Sequence, residues 1–253
     1  MRRYMYYYLL YVLFVIIAAP KGLSAEVLSD DVTKSTLLIK KVIEVYGGQN
    51  IIDDTRSFHA SGKIEALMRD DRGTYDLYFR RDRKLRVETK YRHASEVRIL
   101  NGSRGYRSTD SDPLEEVFGP KYFSMLYQYK HVDILHELSV GAFDVRYDGK
   151  SIVNGSSVEV LKLKDKEGIM MDIFIDEKDY YILKVTGYFS ADNKKMELSS
   201  ELSDFRKVGN SVFPFQITNY AGGMKIARTT IEKYSINPEL RDSLFEAPVI
   251  QSL

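Results

Sequence analysis

From Phe58 onward the chain alternates. Phe58, Ala60, Gly62, Ile64, Ala66 and Met68 fall on one side, and His59, Ser61, Lys63 and Glu65 on the other. A period of two is that of a strand with one face in a core and one in water. Tyr75, Leu77 and Phe79 repeat it, then Leu85 and Val87, then Val97 and Ile99. Asp70-Asp71-Arg72-Gly73 reads as the first hairpin turn. Short turns between these four strands predict an antiparallel meander, because parallel neighbours need crossovers of a dozen or more residues. Alternation resumes beyond residue 140 in seven further segments, 142–147, 157–163, 169–175, 181–188, 195–205, 212–220 and 224–234. Turns at Asp148-Gly149, Glu167-Gly168, Ala191-Asp192-Asn193, Gly209-Asn210 and Gly222-Gly223 separate them.

Two stretches have helical spacing instead. Val32, Leu38, Ile39, Val42, Ile43 and Tyr46 make one apolar stripe, started by Ser29-Asp30-Asp31 and ended by Gly47-Gly48. A short second helix is expected at 51–53. Between the two runs of strands, Phe123, Leu126, Tyr127, Val132, Leu135 and Leu138 predict one or two inserted helices, with Gly119-Pro120 just ahead of them. The tail from Asn237-Pro238 to Leu244-Phe245 reads as a short capped segment packed on the sheet.

The fold class is therefore mainly β with helices (α+β). About eleven strands in one sheet curl or close, so the expected architecture is a curved, incompletely closed antiparallel barrel. The N-terminal and inserted helices lie over its concave face, where their apolar stripes find cover.

The chain start changes the picture of where the protein works. Arg2 and Arg3 precede an uncharged run from Tyr4 to Pro20, and Leu23-Ser24-Ala25 follows. This is the layout of a secretory signal peptide over residues 1–25, with an uncleaved inner-membrane anchor as the alternative. Residues 26–253 form a single expected domain. The full chain carries 37 basic and 36 acidic residues. Losing Arg2, Arg3 and Lys21 tips it slightly acidic, which gives no electrostatic basis for nucleic-acid binding. There is no cysteine, so disulfides, thiol catalysis and thiolate metal sites are excluded. Export without disulfides points to a bacterial envelope and a periplasmic location.

Candidate chemistry is sparse. No glycine-rich phosphate loop or nucleophile elbow is present. His59, His93, His131 and His136 are scattered, and the last two lie five apart, off the spacing of a helical metal pair. Asp110, Asp112, Glu115 and Glu116 cluster without the spacing of a calcium loop. The run Arg80-Arg81-Asp82-Arg83-Lys84 reads as a solvated hairpin end, or as a docking point for an acidic partner or anionic headgroups. The 19 Tyr, 12 Phe and 8 Met residues suit either an adaptable apolar cavity or a closed core. No catalytic residue, metal or cofactor is expected.

Several short stretches carry a resemblance. They are Val45-Tyr46-Gly47-Gly48 followed by Ile51 and the strand at 57–68 with its Gly62; the strand at 84–88 leading to Asn101-Gly102 and Gly105-Tyr106; the hairpins from Met170-Asp172 through Ile175-Asp176 to Tyr181-Ile182-Leu183-Lys184; and Val212-Phe213-Pro214 with the ending Asn237…Leu244-Phe245-Glu246. In that order the chain resembles the LolA-like superfamily of outer-membrane lipoprotein-sorting proteins. The resemblance implies a non-enzymatic carrier that binds lipid or lipoprotein acyl chains and moves them through the periplasm. On that reading Phe58, Ile64, Leu77, Phe79, Leu85 and Val87 of the early strands, with Phe123, Leu126 and Tyr127 of the inserted helix, line the cavity. The alternative is an envelope regulatory or interaction protein that uses the same fold to sense lipoproteins or to bind an envelope membrane protein.

Overall fold

The computed structural model describes residues 23–191 and 194–247. The signal peptide expected at 1–25 lies outside them, apart from three residues that open the first helix. That helix, α1 (Leu23–Val45), is followed by α2 (Gln49–Asp54). Six strands come next: β1 (Ser57–Ala66), β2 (Asp71–Arg80), β3 (Lys84–Tyr91), β4 (Ser95–Asn101), β5 (Arg104–Thr109) and β6 (Glu115–Val117). Helices α3 (Gly119–Val132) and α4 (Ile134–Ser139) are inserted before seven more strands. These are β7 (Phe143–Val153), β8 (Ser156–Asp165), β9 (Met170–Asp176), β10 (Ile182–Ala191), β11 (Lys194–Val208), β12 (Ser211–Ala221) and β13 (Met224–Ile236). A 3-10 turn, Asp242–Phe245, closes the described chain.

All the strands join one antiparallel sheet in the order β6-β5-β4-β3-β2-β1-β13-β12-β11-β10-β9-β8-β7. The two halves meet where β1 pairs with β13, through a bulge at Ser61/Gly62. A Cβ on Gly62 would stand 2.1 Å from the Thr230 carbonyl oxygen, so no other residue fits there.

The sheet is curved and not closed. An added Cβ on Gly105 of β5 would lie 3.1 Å from Met125 Sδ, and one on Gly187 of β10 would lie 2.3 Å from the Tyr127 ring. Those strands stand eight places apart in the sheet order, about 38 Å in a flat sheet at about 4.8 Å per strand. Met125 and Tyr127 are two residues apart on one helix, with a rise of about 3 Å between them. Two side chains so close reach both strands only if the sheet bends round α3. The edges are the short β6 and β7, the latter covered by α1. On the convex side Phe245 is fully buried against Ile99 and Tyr106, as expected of a tail that packs on the sheet.

Four sequence expectations need correction. The sheet has 13 strands, because β5 (Arg-Gly-Tyr-Arg-Ser-Thr) lacks clean alternation and β6 spans only three residues. Gly73 is not in the hairpin turn but within β2, where an added Cβ would stand 1.9 Å from the Lys90 carbonyl oxygen. The turn sits three residues earlier, at 67–70, and includes Asp70 at φ 48°. Asp148-Gly149 forms no turn between strands; it is a bulge within β7, with Gly149 at φ 92°. Finally, α1 begins at Leu23 rather than after Ser29. Its buried stripe runs through Ser35, Leu38, Val42 and Tyr46, leaving Val32 63% exposed.

Candidate functional site: a two-lobed cavity under the inserted helix

Bending the sheet round α3 leaves space between its concave face and the helices. The space has two lobes, of about 150 Å³ and about 320 Å³. Both lobes are lined by Tyr75, Leu77, His131, Val132 and Ile217, so they meet at one junction between β2, α3 and β12. Ligand pockets are commonly about 300–1,000 Å³ and mainly apolar with a few placed polar groups, and the paired lobes match that description.

The smaller lobe is mostly apolar. Phe58, Phe79, Phe213 and Tyr234 form its aromatic wall. Phe58 and Phe79 are 5.1 Å apart between ring centroids, and Phe213 stacks on Tyr234 at 4.5 Å. The Tyr234 hydroxyl donates to the Pro214 carbonyl at 2.8 Å, and burial pushes its phenol far up. At the helical end lie His131, Asp133 and Arg81. Burial holds the His131 imidazole down to about 4 and so keeps it neutral. Burial also lifts the Asp133 carboxyl to about 7, although the Arg81 Nε at 3.3 Å opposes that rise. Arg81 donates further to the carbonyls of Ile52 and Asp53, pinning α2 against the α3–α4 corner.

The larger lobe is more polar. Thr89, Glu96 and Arg98 come from β3 and β4, Gln128 from α3, and Ser199, Ser200 and Asn219 from β11 and β12. Ile64, Leu77 and Tyr127 supply apolar surface among them. Met125 and Met171 are fully buried in the core rather than at the cavity wall.

The structure distributes the sequence-expected lining residues as follows. Phe58, Leu77 and Phe79 face the smaller lobe, and Ile64, Leu77 and Tyr127 the larger. Leu85, Val87 and Leu126 are buried in the surrounding core and line neither lobe, while Phe123 is 40% exposed and lines neither. Sequence reasoning missed the walls given by β11–β13, and it missed His131, Arg98 and Gln128. The alternation of β12 and β13 was visible, but only the β1–β13 pairing puts their inner faces opposite β2.

The charged clusters singled out in the sequence are used inside the chain. Arg80 and Lys84 both hold Asp242, Arg81 holds Asp133, and Arg83 meets Glu167. Asp110 accepts from the Ser95 backbone at 2.7 Å, Asp112 from Thr109 at 2.8 Å, and Glu116 pairs with Arg104 at 2.6 Å. Among the described residues no group of His, Asp and Glu is arranged to hold a metal ion.

No protein-family model matches the sequence, and no curated protein matches it. Solved structures do match the fold. A LolA superfamily protein from Nitrosomonas europaea aligns with a TM-score of 0.55 at 12% identity, over 84% of this chain and 97% of its own. An outer membrane lipoprotein-sorting protein domain from Vibrio parahaemolyticus aligns with a TM-score of 0.53 at 12% identity, over 84% and 96%. A DUF1329 family protein from Desulfovibrio piger gives a TM-score of 0.53 at 11% identity, over 84% and 97%. The chain thus has a LolA-like fold, an open antiparallel sheet bent round inserted helices.

Proposed function

We propose that this protein is a periplasmic, non-enzymatic carrier that binds an acyl chain of a lipid or lipoprotein in the two-lobed cavity. It works as a single domain behind an export signal. The observation that supports this most is the pair of adjoining lobes, an aromatic-walled one at Phe58 and Phe79 and a more polar one, which share Leu77 and Val132 in their walls. Each buried methylene stabilises the complex by about 0.8 kcal/mol, so the aromatic-walled lobe supplies affinity without a catalytic group. The fold shared with lipoprotein-sorting structures agrees with this reading.

The test is native mass spectrometry with lipid extraction on protein purified from an envelope fraction, paired with uptake of a fluorescent fatty acid. Wild type should carry or take up an acylated ligand. Ile217→Trp, which fills the half-buried junction of the lobes, should lose uptake while its circular dichroism stays that of wild type. Unchanged uptake in that variant, or an empty wild type that takes up nothing, refutes the proposal.

A second reading, an envelope interaction protein, is favoured by Phe118 and Phe123. They are 72% and 40% exposed and flank the start of α3 beside the edge strand β6. Cross-linking in intact envelopes that captures a membrane protein from wild type, and loses it in Phe118→Ser, would support that reading.

A further inference from the structure

Within the larger lobe, two buried polar atoms lack hydrogen-bond partners and one half-exposed cation is only loosely paired. Thr89 is 5% exposed, and its Oγ1 has no hydrogen-bond partner. The Gln128 Oε1 is buried and equally without one. Arg98 approaches Glu96 only at 3.7 Å, and among the described residues its guanidinium makes no hydrogen bond. Glu96 is already engaged by the Arg107 Nε at 2.6 Å. Arg98 and Arg107 stand directly opposite each other on β4 and β5, so both point to the same face of the sheet. Glu115 of β6 stands opposite Arg107 in turn, so carboxylates match guanidiniums in number on this face, and Arg98 is the cation left without a close partner.

A buried polar atom left unpaired costs free energy, and a cation at a cavity wall favours an anion there. Guanidinium presents five donors in a planar fork suited to carboxylate and phosphate oxygens. Thr89 offers a hydroxyl to the same space, and the Gln128 amide presents its NH₂ when turned over. We infer that the larger lobe seats an anionic headgroup, carboxylate or phosphate, of the acylated ligand whose chain lies in the smaller lobe. This rests on the acyl-binding reading above and adds the class of amphiphile. Arg98 is the counter-charge, and Thr89 and Gln128 supply hydrogen bonds to the headgroup oxygens.

The experiment compares four probes on the purified protein: palmitate, lysophosphatidylglycerol with a palmitoyl chain, monopalmitoylglycerol as the neutral match, and inorganic phosphate alone. The two anionic amphiphiles should bind about tenfold more tightly than the neutral one, the scale of a charge-assisted hydrogen-bond pair. Arg98→Gln should erase that preference by weakening the anionic probes, with a circular dichroism spectrum matching wild type to report that the variant is folded. Arg98→Lys should restore part of it, and Thr89→Val should weaken only the anionic probes. Equal binding of charged and neutral amphiphiles, with Arg98→Gln silent, overturns the headgroup assignment and leaves the carrier reading standing. Inorganic phosphate binding as tightly as lysophosphatidylglycerol overturns it in favour of a free-phosphate site. Uptake of none of the amphiphiles overturns both readings.

Discussion

At the scale of single residues, two neighbours on the cavity wall titrate in opposite senses. Burial lowers the folded His131 pKa from 6.5 to about 4. Its contribution to stability is whole above about 6.5 and is lost as pH falls toward 4, because the unfolded chain takes the proton first. Burial raises the folded Asp133 pKa from 3.8 to about 7. Its contribution is whole below 3.8 and is lost as pH rises through 7, because the folded chain keeps the proton longer. Between pH 4 and 6.5 the two slopes oppose, each up to about 1.4 kcal/mol per pH unit. Urea titrations at pH 4.5, 5.5 and 6.5 separate them. Asp133→Asn should make stability climb with pH more steeply than wild type, and His131→Gln should make it climb less or fall. Arg81, Lys130, His136 and Glu137, which surround the corner, are the same in both variants and drop out of the difference. Profiles parallel to wild type would remove both residues from the account. Neither shift was legible in the sequence, where His131 is one of four scattered histidines. The burial comes from sheet curvature, which no local pattern encodes.

Among the elements, α3 decides the shape of the sheet, and its fit depends on two glycines. Gly187 leaves room for the Tyr127 ring, whose hydroxyl donates to the Val185 carbonyl at 3.4 Å. Gly187→Ala drives a methyl into that ring and should cost about 1–3 kcal/mol, the usual range for overpacking. The cost should shrink when Tyr127→Leu is present, so a double-mutant cycle with full additivity would disprove the contact. On the other face, Phe245 is fully buried and Asp242 is held at about 2 by Lys84 and Arg80. Phe245→Ala should cost about 3–5 kcal/mol, and amide exchange should then quicken in the segment 237–247 and along β3–β4 while the cavity stays intact. The strands themselves were largely legible, because Phe58, Leu77, Phe79, Leu85 and Val87 alternate cleanly and do face inward. What escaped were elements whose reason is a neighbour. Gly73 is a glycine because β3 presses on it, and Phe123 follows the helical period while lying outside the cover of the sheet.

For the molecule as a whole, the sheet order places the cavity between the two halves of the chain. β1 stands at the centre, joined to β2 on one side and to β13, some 170 residues away in sequence, on the other. Leu77 and Thr89 come from the first half, Ile217 and Ser199 from the second, and His131 and Val132 from the helix inserted between them. The sequence showed two runs of strands and a helical insertion, and the resemblance supplied a cavity. The seam between β1 and β13 determines which faces meet, and that pairing is non-local. A ligand touching both halves and α3 is bound only when all three are assembled, so its binding free energy adds to global stability. At a hundred times its Kd that addition is about 2.7 kcal/mol, visible as a raised midpoint in denaturant with an unchanged slope. Palmitate should therefore shift the single unfolding transition of wild type upward and leave that of Ile217→Trp where it was. If palmitate instead protects only a few surface amides and the midpoint stays fixed, the fatty acid is sitting on the outside, and the cavity is not its site.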